Sequence, residues 1–125
     1  MATVTTFAFY GTFTSGQPGH GNLAGARLLE RTQTAPAYRL YAVDGLPALV
    51  GSERGVSIGC ELYDVAEEHL ARLAEIEPPG WARAPLELVD GRRVEAFLAS
   101  RELAARGEDV SAHGCWAAYV QSRSR

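Results

Sequence analysis

Two places in this 125-residue sequence combine residue types and spacing that could do chemistry. The first is Phe9-Tyr10-Gly11-Thr12-Phe13, where a β-branched and aromatic run breaks at glycine beside a hydroxyl residue. A strand ending in that way exposes consecutive backbone N–H groups, which can converge on a carboxylate or a developing oxyanion. The second is Glu77, between Ile76 and Pro78. It falls at the C-terminal end of an amphipathic segment, where the helix dipole and apolar neighbours both disfavour its charged form. A carboxyl with its pKa raised towards neutrality suits proton transfer. Glu75 falls on the polar side of the same helix. Trp81 follows Pro78-Pro79-Gly80 and is placed to lean over a Glu77 pocket.

Other chemistries lack their residues. The chain has no lysine, so a Walker-type phosphate loop is missing its cation. Gly19-His20-Gly21-Asn22-Leu23-Ala24-Gly25 resembles a dinucleotide fingerprint, but its last glycine comes one residue late and no strand directly precedes it. There is no Gly-x-Ser-x-Gly elbow. His20, His69 and His113 are far apart and have no neighbouring cysteine ligands, so no metal site is expected. Cys60 and Cys115 read as buried small hydrophobes rather than reactive thiols.

Length and composition fix the setting for these residues. At 13.4 kDa, with 46% hydrophobic and 22% charged residues, the chain reads as one soluble domain, residues 1–121, with a frayed tail at 122–125. Its net charge of -3 and the absence of a basic stripe argue against nucleic acid as a partner. No apolar run approaches the roughly 20 residues of a membrane span. The start, Met1-Ala2-Thr3-Val4, lacks a basic region leading into an apolar one, so a cytoplasmic location is expected.

The elements follow from periodicity. Val4–Tyr10 carries apolar residues on both parities, which predicts a strand covered on both faces. Further strands are expected at 26–32, 38–43, 47–50 and 56–65. Leu70, Leu73 and Ile76 then recur at helical spacing over 66–76, and Pro78-Pro79 ends that helix. Asp90-Gly91 marks a hairpin between 85–89 and 92–98. Two short helices close the chain: one over 100–106, capped by Ser100, and one over 112–121, with Trp116 and Tyr119 packed on one face. Strands clustered on either side of one helix indicate an α+β fold. The fit is to a small mixed, partly antiparallel β-barrel with peripheral helices.

At its two chemical positions the sequence resembles the gamma-glutamylcyclotransferase-like superfamily. Tyr10-Gly11-Thr12-Phe13 matches the family's opening motif, and Leu73-Ala74-Glu75-Ile76-Glu77-Pro78 stands where its catalytic glutamate is carried. Arg31 to Tyr41, Pro47-Ala48-Leu49-Val50 and Gly59-Cys60-Glu61-Leu62-Tyr63 follow in the family's order. The segments around Ala35-Pro36-Ala37-Tyr38-Arg39-Leu40-Tyr41, Asp90-Gly91-Arg92, Glu108-Asp109-Val110-Ser111 and Gly114 to Tyr119 look closer still to the C-terminal domain of allophanate hydrolases. The chain is expected to be a free-standing relative of that domain.

The resemblance implies a cofactor-free, metal-independent enzyme. It would release an amine or amino acid from a gamma-glutamyl amide and form 5-oxoproline, with Glu77 as general acid/base. Tyr10, Gly11, Thr12, Phe13 and Trp81 would bind the small-molecule substrate. The allophanate branch implies a lyase or decarboxylase acting on small urea-derived carboxylates instead. A non-catalytic small-molecule binding domain is a third possibility. If the chain oligomerises, a two-fold homodimer is the default form.

Overall fold

The computed structural model describes residues 3–123. In chain order the elements are β1 (Val4–Phe9), a 3-10 turn (His20–Leu23), β2 (Arg27–Gln33), β3 (Tyr38–Val43), β4 (Leu46–Gly51), β5 (Gly59–Ala66) and α1 (Glu67–Ile76). They continue with β6 (Trp81–Glu87), β7 (Arg93–Ala99), α2 (Arg101–Ala104), β8 (Glu108–Asp109), a second 3-10 turn (Ser111–His113) and α3 (Trp116–Arg123). The fold is mixed α+β, as expected. Its strands form two sheets rather than a closed barrel: five in the order β2-β5-β1-β7-β6, and three in the order β4-β3-β8. Single bridges, Thr34 to Leu88 and Tyr38 to Val56, tie the segments between them.

β1 lies at the centre of the larger sheet, antiparallel to β5 and parallel to β7. Its alternation explains why it is apolar on both parities. Ala8, and Tyr10 just beyond the strand, point into a core that also contains Leu40, Leu49, Leu62 and Trp116. Phe7 and Phe9 point the other way, towards Leu70 and Leu73 of α1. Burying side chains of that size contributes roughly 1.5–3 kcal/mol each. α1 is therefore fastened to the back of the strand whose end opens the glycine-rich loop.

Several boundaries differ from those expected. β6 begins at Trp81, not at residue 85. Pro85 is accommodated because β6 is an edge strand, where a missing N–H costs no ladder bond. The last helix starts at Trp116 because Gly114, at φ 79°, separates it from the 3-10 turn before it. It also runs to Arg123, two residues past the end expected at 121. The Ser122 hydroxyl donates to Tyr119 O, and Arg123 bonds the Tyr119 hydroxyl. Ser124 and Arg125, like Met1 and Ala2, lie outside the described residues. Ser100 caps α2 by accepting the Leu103 N–H. Among the described residues no helix is long and apolar enough to cross a membrane.

Candidate active site

The loop after β1 is built by close approaches rather than by sequence complexity. A Cβ on Gly11 would come 2.1 Å from Pro47 Cγ, so only glycine lets β4 pack against the end of β1. Gly11 O accepts both the N–H and the hydroxyl of Thr14, which folds the chain into a tight turn. Gly19 N donates to Thr12 O, and a Cβ there would fall 2.7 Å from the same oxygen. Gly19 thus serves loop packing. His20 and Asn22 are likewise tied into the fold: His20 Nε2 lies 3.1 Å from the Tyr63 hydroxyl, and Asn22 Nδ2 donates to Gly19 O.

Beside this loop lies a cavity of about 280 Å³. Tyr10, Gly11, Thr12 and Phe13 form one wall. Ile76, Glu77 and Pro78 form another, and Leu46, Pro47, Trp81 and Phe97 complete it. Every residue singled out from the sequence as a site candidate lines this one hollow. Glu77 is the only carboxylic acid among its lining residues, and no lining residue is cationic. The N–H groups of Gly11, Thr12 and Phe13 make no hydrogen bond to protein acceptors among the described residues.

Glu77 occupies the C-cap position of α1 with an extended backbone, φ -71° and ψ 132°, as the residue before a proline must. It is half-buried, and that burial alone raises its pKa above the usual glutamate range. Glu75 is exposed on the opposite side, as its helical position required. Ile76 departs from expectation. It is 57% exposed and stands at the cavity, while Leu70 and Leu73 alone form the buried stripe of α1.

Tyr10 closes the floor. Its hydroxyl donates to Phe97 O at 2.5 Å and receives the Leu49 N–H at 3.4 Å, so the ring bridges both sheets. Burial drives its pKa well above that of free tyrosine, against the Leu49 donor. The negative charge of Glu77 pushes it the same way as burial. Trp81 donates its indole N–H to Pro47 O at 2.9 Å, which fixes its ring as a wall.

A second carboxylate, passed over as chemistry in the sequence, adjoins the loop. Glu61 is 7% exposed. Its Oε1 accepts the Ser15 N–H at 2.8 Å, the Ser15 hydroxyl at 3.2 Å and the Tyr63 hydroxyl at 3.0 Å. Its Oε2 accepts Arg31 Nε at 3.0 Å. Burial works to raise its pKa, but these donors outweigh it and hold the group below the ordinary value. The available signal was its burial context: Glu61 stands between Cys60 and Leu62-Tyr63 in the run that becomes β5. The remaining candidates are structural. Both cysteines are free, and Cys60 is buried with its pKa pushed up to about 12. Trp116 and Tyr119 are buried, with ring centroids 5.1 Å apart. His20, His69 and His113 do not meet, and no group of acidic, histidine or cysteine residues among those described could hold a metal ion.

The model of the allophanate hydrolase C-terminal domain matches residues 5–121. The chain belongs to that family. A curated Vibrio cholerae relative named "Putative gamma-glutamylcyclotransferase" is 37% identical over 68 residues. That match covers 54% of this chain and 57% of the relative, so it spans little more than half of either protein. Among solved structures, a uropathogenic E. coli-specific protein superposes with a TM-score of 0.89 at 28% identity. That superposition covers 95% of this chain and 97% of the other. Kluyveromyces lactis allophanate hydrolase gives 0.91 at 22% identity, a likeness of fold covering 97% of this chain and 22% of that one. This allophanate hydrolase C-terminal-like domain is thus also homologous to a protein classed with the cyclotransferases.

Proposed function

We propose that the domain is a gamma-glutamyl amide cyclotransferase with Glu77 as general acid/base. One observation supports this above the others: Glu77 lines the same small, mostly apolar cavity as Gly11, Thr12 and Phe13, the residues that follow Tyr10. The homology to the Vibrio protein agrees with it.

In the proposed reaction the Glu77 carboxylate takes a proton from the substrate's α-ammonium, and the freed amine attacks the γ-carbonyl carbon. The tetrahedral oxyanion, or the substrate's α-carboxylate, is held by the amides of Gly11, Thr12 and Phe13. Backbone donors must do this because no cation lines the cavity. Glu77, now protonated, gives its proton to the leaving nitrogen, and the amide C–N bond breaks as the ring closes to 5-oxoproline. Two protons pass in all from the α-nitrogen to the departing amine, so none is gained or lost. Because attack is intramolecular, walls such as Trp81 and Phe97 assist by holding the folded conformer. The raised pKa of Glu77 brings its acid and base forms closer in energy at neutral pH.

The family match favours a second reading, a lyase or decarboxylase of small urea-derived carboxylates. Both are tested together. The purified protein is given a panel of gamma-glutamyl amides, with 5-oxoproline measured by chromatography, and carboxylated urea, with carbon dioxide and ammonia measured. The expected result is 5-oxoproline release that falls by about 10²–10⁴ in Glu77→Gln. Carbon dioxide release alone selects the second reading.

A further inference from the structure

The loop that carries the cavity amides has few attachments of its own. It leaves β1 at Phe9, and the residue paired with Phe9 on β5 is Glu61, which is also paired with Arg31 of β2. Glu61 therefore sits opposite the point where the strand gives way to the loop. It reaches across to Ser15, four residues beyond Gly11, with two bonds to one oxygen. Its other partners hold the carboxylate itself: Arg31 from the solvent side and Tyr63 from within, the Tyr63 hydroxyl in turn lying within reach of His20 near the loop's far end. One buried carboxylate thus holds the middle of the loop directly and its far end through a single tyrosine.

We infer that Glu61 is a positioning residue that fixes the backbone of Gly11–Phe13 along the cavity wall by anchoring Ser15 to the centre of the sheet. Between Ser15 and the cavity the chain is a closed turn, with Gly11 O bonded by Thr14 and Thr12 O by Gly19. Displacement of Ser15 is therefore passed to the amides rather than absorbed. Glutamine cannot substitute. An acceptor is required on both side-chain oxygens, and the amide NH₂ would confront either the Ser15 and Tyr63 donors or Arg31. The catalytic half of this inference rests on the cyclotransferase reading; the anchoring half does not.

The test is Glu61→Gln, read by amide exchange and by kinetics. Thr14 and Gly19 amides bond within the loop and not to Glu61, so their protection reports loop geometry. It should fall at least about tenfold, while Phe7 and Leu62 in the central strands keep theirs. With a gamma-glutamyl amide that is turned over, kcat should fall about 10- to 100-fold with KM within about twofold, the pattern of a lost transition-state contact. Unchanged protection at Thr14 and Gly19 overturns the inference, as does lost protection with unchanged kcat. Lost protection in a protein that releases no 5-oxoproline in either form supports the anchor and rejects the cyclotransferase reading. Should Glu61→Gln fail to fold, Tyr63→Phe removes one of the four donors, keeps the ring against Phe9, and should move the same amides in the same direction.

Discussion

Replacing Gly11 by alanine would put a methyl carbon 2.1 Å from Pro47 Cγ and 2.9 Å from Pro47 Cβ. Carbon atoms rest at about 3.5–4.0 Å, so the loop or β4 must give way by about 1.4 Å. Neither side yields easily. Pro47 is a rigid ring in the β3–β4 ladder, paired with Ala42, and its carbonyl holds Trp81. Gly11 is bound to Thr14. Overpacking of this kind costs about 1–3 kcal/mol. A shift of about 1 Å in a group that positions the reacting atoms costs roughly 10²-fold in rate. Gly11→Ala should therefore lower the urea midpoint at an unchanged slope and reduce kcat/KM for a gamma-glutamyl amide about a hundredfold. Adding Pro47→Ala removes the nearer carbon and leaves the one at 2.9 Å, so the double variant should recover part of both losses. If Gly11→Ala alone keeps wild-type stability and turnover, the close packing of strand end against β4 does not set the cavity wall.

Glu77→Gln should be more stable than the wild type at neutral pH, although less active. The folded pKa of Glu77 is raised, so the wild type holds its full stability below the unfolded pKa and loses the difference as pH rises through the folded one. Melting temperatures from pH 4 to pH 8 should converge at the acid end and separate towards neutrality. For the same reason the acid limb of kcat/KM against pH should have its midpoint above the ordinary glutamate value of 4.5. Leu70→Ala, at a position 1% exposed, should cost about 2–5 kcal/mol by chemical denaturation, because it loosens the helix from Phe7 and Phe9. In the native protein at pH 8 a thiol reagent should modify the half-buried Cys115 and reach Cys60 only on unfolding, since Cys60 is buried with its pKa near 12.

Much of this architecture could be read from residue patterns, and the misses share a cause. β1 was legible from its β-branched and aromatic content and its stop at Gly11, β3 from its alternation, and α1 from its helical spacing and its stop at Pro78-Pro79. β8 has only two residues, Glu108 and Asp109, and is a strand only because β3 lies beside it. β2 was expected as a strand over 26–32, but its exposure was not, since that depends on its place at the edge of the sheet. In the site, Tyr10 to Phe13, Glu77 and Trp81 stood out because each lies beside a break in a pattern, at Gly11 or at Pro78-Pro79-Gly80. Leu46, Pro47 and Phe97 were not. They reach the cavity from strands 35 to 86 residues beyond Gly11, and no local signal connects them. Glu61 was visible only as one of two acids, with Asp64, in the β5 run; its hydrogen-bond partners come from three separate elements.

The placement of β1 also has a consequence for how the chain reaches its native state. β1 is made before both of its neighbours, and its partners are residues 61–66 on one side and Glu95 on the other. During synthesis the aromatic segment Phe7-Ala8-Phe9-Tyr10 must wait, unpaired, for most of the polypeptide to emerge. Tyr10 finds its acceptor, Phe97 O, later still. Pairings so distant in sequence close slowly, on a scale of milliseconds to seconds for small domains. The waiting segment is the part most exposed to self-association. Growth temperature and chaperone supply should therefore govern the yield of soluble protein more than any surface substitution does. A chain cut short of β7 would have neither a neighbour for one side of β1 nor the carbonyl that seats Tyr10.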